Sequence, residues 1–300
     1  MKTLIIGGSG FVGSHLTPFL AGKGFDVTIM ARRPERGPRF PAEVNTLAAD
    51  ATKPGDWQAD VPKYDLLINL AGVSVFKRWD DAYKKLLRET RILTTRNLVD
   101  AIPDKRERKI TLINTSGAGY YGFTGDEELA EDAPPGSDFL SRLARDWEAE
   151  ALRAKEKDVR VIITRFGIIL GKGGGALAQM TLPFRFFAGG PLGHGKQWIP
   201  WMHVEDLCRA ELFLIEHDHI NGPVNFTAPE PVRNVELSKA IGKALNRPAF
   251  MPAPSFMIKL VLGEFGSVIL EGQRAIPKVL QDNGFSFKYP SIQEALRDLL

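Results

Sequence analysis

The chain has 300 residues, of which 44% are hydrophobic, which is enough for one sizeable core and a smaller attached lobe. Lysine and arginine number 39 and aspartate and glutamate 36, so the net charge of +3 provides no strong attraction to nucleic acid or to an acidic membrane, and neither is expected as a partner. The single cysteine, Cys208, excludes an internal disulfide and a cysteine-rich metal site. We expect no metal and a cytoplasmic location.

The first predicted unit is a strand, a glycine-rich turn and a helix. An aliphatic run at 4–6 stops at glycines and continues as a helical pattern at 14–21, which is typical of a dinucleotide-binding unit. Glycines allow a tight turn and let backbone amides approach a pyrophosphate at the positive end of the helix dipole. The G-x-G-x-x-G spacing also fits when it is counted from Gly8, so the sequence alone does not decide which of the two glycines begins the motif. The expected pyrophosphate contacts are Gly7, Gly10, Phe11, Val12 and Gly13.

The uncharged stretch 3–22 also has the length of a signal peptide or a membrane span. Glycine, serine, proline and histidine residues interrupt it, and such residues fit poorly in lipid. We therefore expect neither export nor a membrane-spanning segment, and we interpret the stretch as part of the nucleotide-binding unit.

The second predicted strand, 26–31, is followed at once by Arg32 and Arg33. An acidic residue at this position would accept hydrogen bonds from the adenosine ribose and select NAD, whereas arginine can pair with a 2′-phosphate and stack on adenine. The alternative is that both arginines are solvated in a turn. The position favours NADP(H) as the cofactor, with Arg32 and Arg33 as its ligands.

Two further strands end in candidate cofactor residues. A strand at 44–49 ends in Asp50, and a strand at 66–70 ends in Ala71 and Gly72. The carboxyl ends of parallel strands face the crevice in which ligands bind. Asp50 either meets the adenine amine or is simply a turn carboxylate. The residues expected to border the adenosine ribose are Asn69, Leu70 and Ala71, and Gly72 is a further expected cofactor contact.

The rest of the first half alternates between helices and strands. An amphipathic helix at 79–101 precedes a strand at 110–114, a loop at 115–122 that is expected to carry chemistry, a helix at 138–154 and a strand at 159–169. Six strands alternating with helices predict an α/β fold with a doubly wound parallel Rossmann sheet. The two long helices could pair with a second copy, and periodicity leaves monomer and homodimer both open.

The character of the sequence changes after residue 171. Glycines at 172–175 suggest a hinge, and the mixture of Phe, Gly, Pro and Trp at 184–201 is typical of loops that wall a pocket. Helices are predicted at 204–217 and 235–245, with a capping box at Ser291 in a mostly helical tail. We divide the chain into a Rossmann core (1–171) and a substrate-side region (172–300), in which a strand near 223–227 returns to the main sheet and a small C-terminal lobe spans about 250–300.

Several motifs together resemble the extended short-chain dehydrogenase/reductase superfamily, in particular its atypical epimerase-like branch with a small C-terminal domain. The likeness covers nearly the whole chain, and it implies NADP binding and a nucleotide-sugar-epimerase-like fold, with poorly defined substrates. Arg165, which begins one of the motifs, is included among the expected cofactor contacts. The motifs lie at 7–13, 69–72, 116–122, 165–171, 189–193, 201–206, 271–277 and 283–290.

The chain departs from that superfamily at the catalytic pair. Active extended members use Tyr-x-x-x-Lys, in which the lysine lowers the tyrosine pKa so that the phenolate can exchange a proton with the substrate. Phe139 and Leu143 stand where tyrosine and lysine are expected, and a shift of one residue offers only Leu140 and Ala144. The nearest substitute catalytic groups are Ser116, Tyr120 and Tyr121.

Two functions are compatible with these features. The first is an NADP(H)-dependent oxidoreductase or epimerase that acts on a small or nucleotide-sugar-like substrate through substitute groups, because the cofactor supplies most of the chemistry. The second is a non-catalytic protein that binds NADP(H) to sense redox state or to regulate a partner. The missing Tyr/Lys pair favours the non-catalytic protein, and the expected pocket wall at 184–203 favours the enzyme.

Overall fold

The computed structural model describes residues 1–33, 40–105 and 109–300. Its main feature is a seven-stranded parallel sheet, flanked by helices on both faces. The strands of the described chain are β1 (Lys2–Ile6), β2 (Asp26–Ala31), β3 (Asn45–Ala48), β4 (Leu66–Asn69), β5 (Thr111–Gly117), β6 (Glu128–Leu129), β7 (Arg160–Phe166), β8 (Ile168–Leu170), β9 (Trp198–Ile199), β10 (Trp201–His203), β11 (Gly222–Phe226), β12 (Val232–Arg233) and β13 (Arg274–Ala275). The α-helices are α1 (Phe11–Gly22), α2 (Asp81–Asp100), α3 (Phe139–Leu152), α4 (Gly175–Arg185), α5 (Val204–Glu216), α6 (Asn234–Leu245), α7 (Ser255–Leu262), α8 (Glu264–Ile269), α9 (Lys278–Asp282) and α10 (Ile292–Leu299).

The sheet order is β3-β2-β1-β4-β5-β7-β11, with every neighbouring pair parallel. The chain leaves β1 in one direction through β2 and β3 and then returns to the other side through β4. This reversal opens a crevice at the carboxyl ends of β1 and β4, the usual ligand position in an open α/β sheet. The predicted doubly wound Rossmann sheet is therefore confirmed, and β11 adds the returning strand at the edge.

The two faces of the sheet bury two separate apolar layers. Side chains alternate along β1, so Ile5 packs with Leu16 of α1 on one face while Leu4 packs with Leu98 of α2 on the other. The central strands are rich in aliphatic residues because both of their faces are covered. The strands that border the crevice are thus packed on both faces by buried side chains.

The single strand predicted at 159–169 is wrong. The main-sheet strand β7 ends at Phe166, and β8 pairs instead with β10 in a two-stranded sheet. Gly167 lies between them, and a Cβ there would come within 2.7 Å of the Pro200 carbonyl oxygen. Because residue 200 passes so close, the chain changes direction at this glycine, and no local sequence pattern predicts this change of direction.

The region after residue 171 contains more regular structure than the sequence predicts. Gly175 begins helix α4, where a hinge and then irregular loops are predicted. The predicted capping box at Ser291 is confirmed, since its hydroxyl accepts the Glu294 amide at the start of α10. The tail is attached to the core through Asp206, whose carboxylate accepts the backbone amides of Lys288 and Tyr289, both at 2.8 Å. Among the described helices, none is long and apolar enough to cross a bilayer.

Candidate functional site

The glycine turn after β1 has the geometry of a phosphate-binding loop. Gly7 has φ +79°, and a Cβ there would lie 3.1 Å from the Ala71 nitrogen on the neighbouring turn. A Cβ on Gly13 would lie 2.3 Å from the Gly8 carbonyl oxygen, so a side chain there would separate α1 from the turn. Gly10 caps α1 without a side-chain hydrogen bond. The first amides of α1 are therefore available to an anionic ligand.

The ends of β2 and β3 meet at the same edge. Arg32 and Arg33 follow β2 and are exposed, and the Ala49 amide after β3 donates to the Ala31 carbonyl of β2. Asp50 accepts hydrogen bonds from the hydroxyl and the amide of Thr52, at 2.7 and 3.1 Å. The Thr52 hydroxyl lowers the pKa of Asp50, and the charge of Arg32 adds to this effect. Asp50 thus closes the turn after β3 through Oδ1, beside the positively charged edge, and its contact with the adenine amine stays a prediction.

The turn after β4 is supported from below by Asn69. This side chain is fully buried, and its amide group donates to Asn114 at 2.7 Å and to the Thr95 hydroxyl at 2.9 Å. Its carbonyl oxygen accepts the Ala71 amide at 3.2 Å. The side chain of Asn69 is therefore used to hold the turn, and a contact of Asn69 with the ribose would have to come from its backbone. Leu70, Ala71 and Gly72 stay at the strand end, facing Gly7.

Arg91 adds a positive charge beneath the same turn. Its guanidinium carbon would lie 2.9 Å from a Cβ on Gly72, and its nitrogens donate to the carbonyls of Leu87 and Val73. Burial lowers the pKa of Arg91 to about 10. The sequence assigned no individual role to this residue, which the structure places directly behind the cofactor-side turn.

Arg165 does not serve as a cofactor contact in this structure. It is only 3% exposed, and Glu148 of α3 receives two hydrogen bonds from it, both 2.9 Å. Its remaining terminal nitrogen donates to the Tyr121 hydroxyl and the Glu131 carbonyl, both at 3.0 Å. Burial opposes its charge, but Glu148 outweighs burial, so the pKa of Arg165 is raised. Arg165 is therefore neutralised inside the protein by Glu148, on the helix that precedes its own strand, rather than by a cofactor phosphate.

Tyr121 and Ser116 are also occupied. The Tyr121 hydroxyl donates to Asn225 at 2.6 Å and accepts from Arg165, and burial raises its pKa to about 12. The Ser116 hydroxyl donates to Glu148 at 2.7 Å. Both residues are almost fully buried, so neither can exchange a proton with a substrate, and both are corrected from candidate catalytic groups to members of a buried polar network.

Tyr120 differs from its two neighbours. It is half-buried, and no hydrogen bond joins its hydroxyl to another described residue. Its ring lies over the Arg165 guanidinium, with 3.5 Å from the guanidinium carbon to the ring centroid. The buried network therefore fixes the ring of Tyr120 and leaves its hydroxyl without a protein partner among the residues that the structure describes.

An apolar cluster occupies the place of the missing Tyr/Lys pair. Leu143 is buried beside Trp79 and Phe265, and the Phe139 ring meets Trp79 edge-on at 5.4 Å. These side chains come from α3, from the segment before α2 and from α8. The position carries no group that could relay a proton, which agrees with the sequence. The residues that sequence reasoning missed are Glu148, Glu131 and Asn225, which lie in a helix, a loop and a returning strand with no motif of their own.

Comparisons with known proteins agree with this geometry. The sequence model of the NAD dependent epimerase/dehydratase family matches residues 3–226, and a domain of unknown function (DUF1731) matches residues 253–299. The chain is 35% identical to the mouse epimerase family protein SDR39U1, over all of both chains, and 36% identical to Bacillus subtilis YfhF, over all of this chain and 98% of that protein. The crystal structure of human SDR39U1 (isoform 2) with NADPH superposes with a TM-score of 0.88 at 34% identity, covering all of this chain and 99% of that one.

Proposed function

The chain belongs to the NAD dependent epimerase/dehydratase family, and from this membership we propose that it binds NADP(H) and catalyses hydride transfer to or from a small substrate. The observation that carries the proposal is the cradle formed by Gly7, Gly13 and the turn at 70–72, in which added side chains would collide with backbone. The glycines let the turn pack closely against α1 and the neighbouring turn, and the first amides of α1 can then bind a pyrophosphate. When bound, the nicotinamide would supply the hydride.

The choice of NADP(H) over NAD(H) rests on Arg32 and Arg33. Both guanidinium groups are exposed at the edge where the adenosine end of a dinucleotide lies in this fold, and Asp50, the acidic group nearby, is held by Thr52. A guanidinium pairs with a phosphate through two parallel hydrogen bonds. The NADPH bound to the human relative supports the same choice.

Replacing Arg32 or Arg33 with alanine is expected to weaken NADPH binding by about 1.5 to 3 kcal/mol for each charged hydrogen bond to the 2′-phosphate that is removed. NADH binding should hardly change, since NADH lacks the 2′-phosphate. Isothermal titration with both cofactors measures the difference, and Lys53→Ala, on the nearby turn, is the control for general loss of positive charge. An equal loss of affinity for NADPH and NADH would contradict the assignment.

The proton step is assigned to Tyr120 or to solvent. Ser116 and Tyr121 are engaged in the buried network, whereas Tyr120 lies in the short helical turn that follows β5, and its hydroxyl has no partner among the described residues. A second function, redox sensing without turnover, is favoured by the apolar cluster around Phe139 and Leu143, which replaces the usual proton relay.

Transfer of deuterium from the cofactor to a substrate distinguishes the enzyme from the redox sensor. The protein is loaded with NADPH deuterated at either face of nicotinamide C4, mixed with a metabolite extract, and the products are searched by mass spectrometry for a gained deuterium. We expect a labelled product and a reduced labelling rate in Tyr120→Phe, with Phe123→Leu, in the following loop, as the matched control. Tight NADPH binding without any label would favour the sensor, and it would leave internally returned hydride, as in epimerisation, as the surviving enzymatic route.

A further inference from the structure

Exposed apolar side chains are concentrated on one band of the substrate-side region. Of the thirteen large hydrophobic side chains that the described chain exposes, nine lie in 182–187 and 250–261, and each is between 48% and 74% exposed. At roughly 100 Å² apiece they exceed the few hundred square ångströms of apolar patch typical of a soluble monomer. We call these nine residues the apolar band. An exposed apolar surface of this size is ordinarily covered by another molecule or by a membrane when the protein functions.

The two segments of the band are adjacent. Backbone hydrogen bonds join Met251 to Gly189 at 3.2 Å and Ala253 to Pro191 at 2.9 Å. The Phe187 ring lies under the Arg247 guanidinium at 4.6 Å. Phe187 also has φ +60°, a left-handed conformation that is costly for a bulky side chain. The backbone is therefore strained at Phe187, although its side chain is largely exposed to solvent.

Helix α7 forms the most exposed part of the band. Only Ile258 of its eight residues is buried, yet Phe256, Met257, Leu260 and Val261 are also apolar, so the helix is apolar on nearly all sides. A helix with this pattern is ordinarily buried. Its length of about 12 Å suits insertion parallel to a surface rather than across a bilayer.

The two segments of the band carry charges of one sign, and the acidic residue that follows α7, Glu264, is paired with Lys84 at 3.0 Å. The sequence has no aspartate or glutamate at 159–204 or at 237–263. Arg185, Lys243, Arg247 and Lys259 lie within or beside the band, and none of them pairs with an acidic group among the described residues. Two copies docked through this band by a two-fold axis would bring the same cations together without a carboxylate from either segment of the band, which is unfavourable.

From this combination we propose that the apolar band docks the protein on the surface of an anionic lipid bilayer. The aromatic and aliphatic side chains would enter the boundary between headgroups and acyl chains, while the four cations meet the lipid phosphates. The proposal is independent of the cofactor. It replaces the expectation, drawn from the net charge, that no membrane is a partner.

Co-sedimentation with vesicles tests the proposal. The purified full-length protein, without cofactor, is mixed with phosphatidylglycerol or phosphatidylcholine vesicles at low and high salt. We expect binding to phosphatidylglycerol on the order of a hundredfold tighter than to phosphatidylcholine, and loss of this preference at high salt. Equal binding to both lipids, or none, would overturn the proposal.

Two double variants separate the apolar and the electrostatic parts. Phe256→Ser with Leu260→Ser should abolish sedimentation, and Arg247→Glu with Lys259→Glu should abolish the preference for phosphatidylglycerol. Phe123→Ser alters an exposed apolar residue outside the band and should bind like the wild type. All these positions are exposed, and circular dichroism checks that each variant is folded. A wild-type dimer that ignores vesicles and dissociates in the serine variant would assign the band to a second copy and reject the proposal.

Discussion

Replacing Glu148 with glutamine is expected to lower the free energy of unfolding by about 3 to 5 kcal/mol. Glu148 and Arg165 are both almost fully buried and are joined by two hydrogen bonds of 2.9 Å. Removing the negative charge leaves the guanidinium desolvated beside neutral partners. Ser116 would also lose its charged acceptor, so β5, β7 and α3 would be weakened together.

Urea denaturation followed by circular dichroism measures this change. Glu89→Gln is the matched control, because Glu89 forms only an exposed ion pair with Lys85 at 3.7 Å and should contribute about 0.5 kcal/mol or less. Combining Glu148→Gln with Arg165→Met should recover part of the stability, since the double variant leaves no unpaired charge. If Glu148→Gln were as mild as the control, the pair would have to be solvated rather than buried.

The nucleotide-binding half could be predicted from the sequence because its signals are local. The strand at 26–31 has the predicted bounds, and the glycine turn falls where the spacing places it. A strand, a turn and a helix that follow one another in the chain are also neighbours in space. Their roles can therefore be argued from spacing alone.

The buried polar network around Arg165 could not be predicted in this way. Arg165, Tyr121 and Ser116 lie near strand ends, as expected, but their partners are Glu148 on α3 and Asn225 on the returning strand β11. Nothing in the spacing links residue 121 to residue 225. Their position near strand ends suggested a cofactor contact for Arg165 and a catalytic role for Ser116 and Tyr121, whereas in the structure they hydrogen-bond to each other's partners as structural supports.

The overall composition also did not predict the distribution of charge over the protein surface. A net charge of +3 over 300 residues conceals two long segments without any acidic residue. The sequence does contain that signal, but it has meaning only when the fold brings 186–193 beside 247–253 and exposes the apolar side chains between the cations. Charge averaged over a chain therefore says little about a single face.

Glu211 is expected to make the protein less stable as the pH rises from about 4.5 to about 8. This carboxyl is fully buried in α5, and neither oxygen has a hydrogen-bond partner among the described residues. Burial raises its pKa from 4.5 to about 8, so the native state keeps the proton over a range in which the unfolded chain releases it. Each pH unit in this window lowers the folding equilibrium constant by a factor of about ten, and the effect ends below and above the window.

Glu211→Gln removes this dependence, because glutamine stays neutral at every pH. Between about pH 4.5 and pH 8 the free energy of unfolding of the wild type should therefore fall by several kcal/mol relative to that of the variant. Urea denaturation at a series of pH values measures both free energies. Comparing differences cancels the other titrating groups, which are common to both proteins. Glu216→Gln removes an exposed carboxylate at the end of the same helix and should give a curve parallel to the wild type. A Glu211→Gln curve parallel to the wild type as well would mean that water reaches the carboxyl, and it would contradict the complete burial of Glu211.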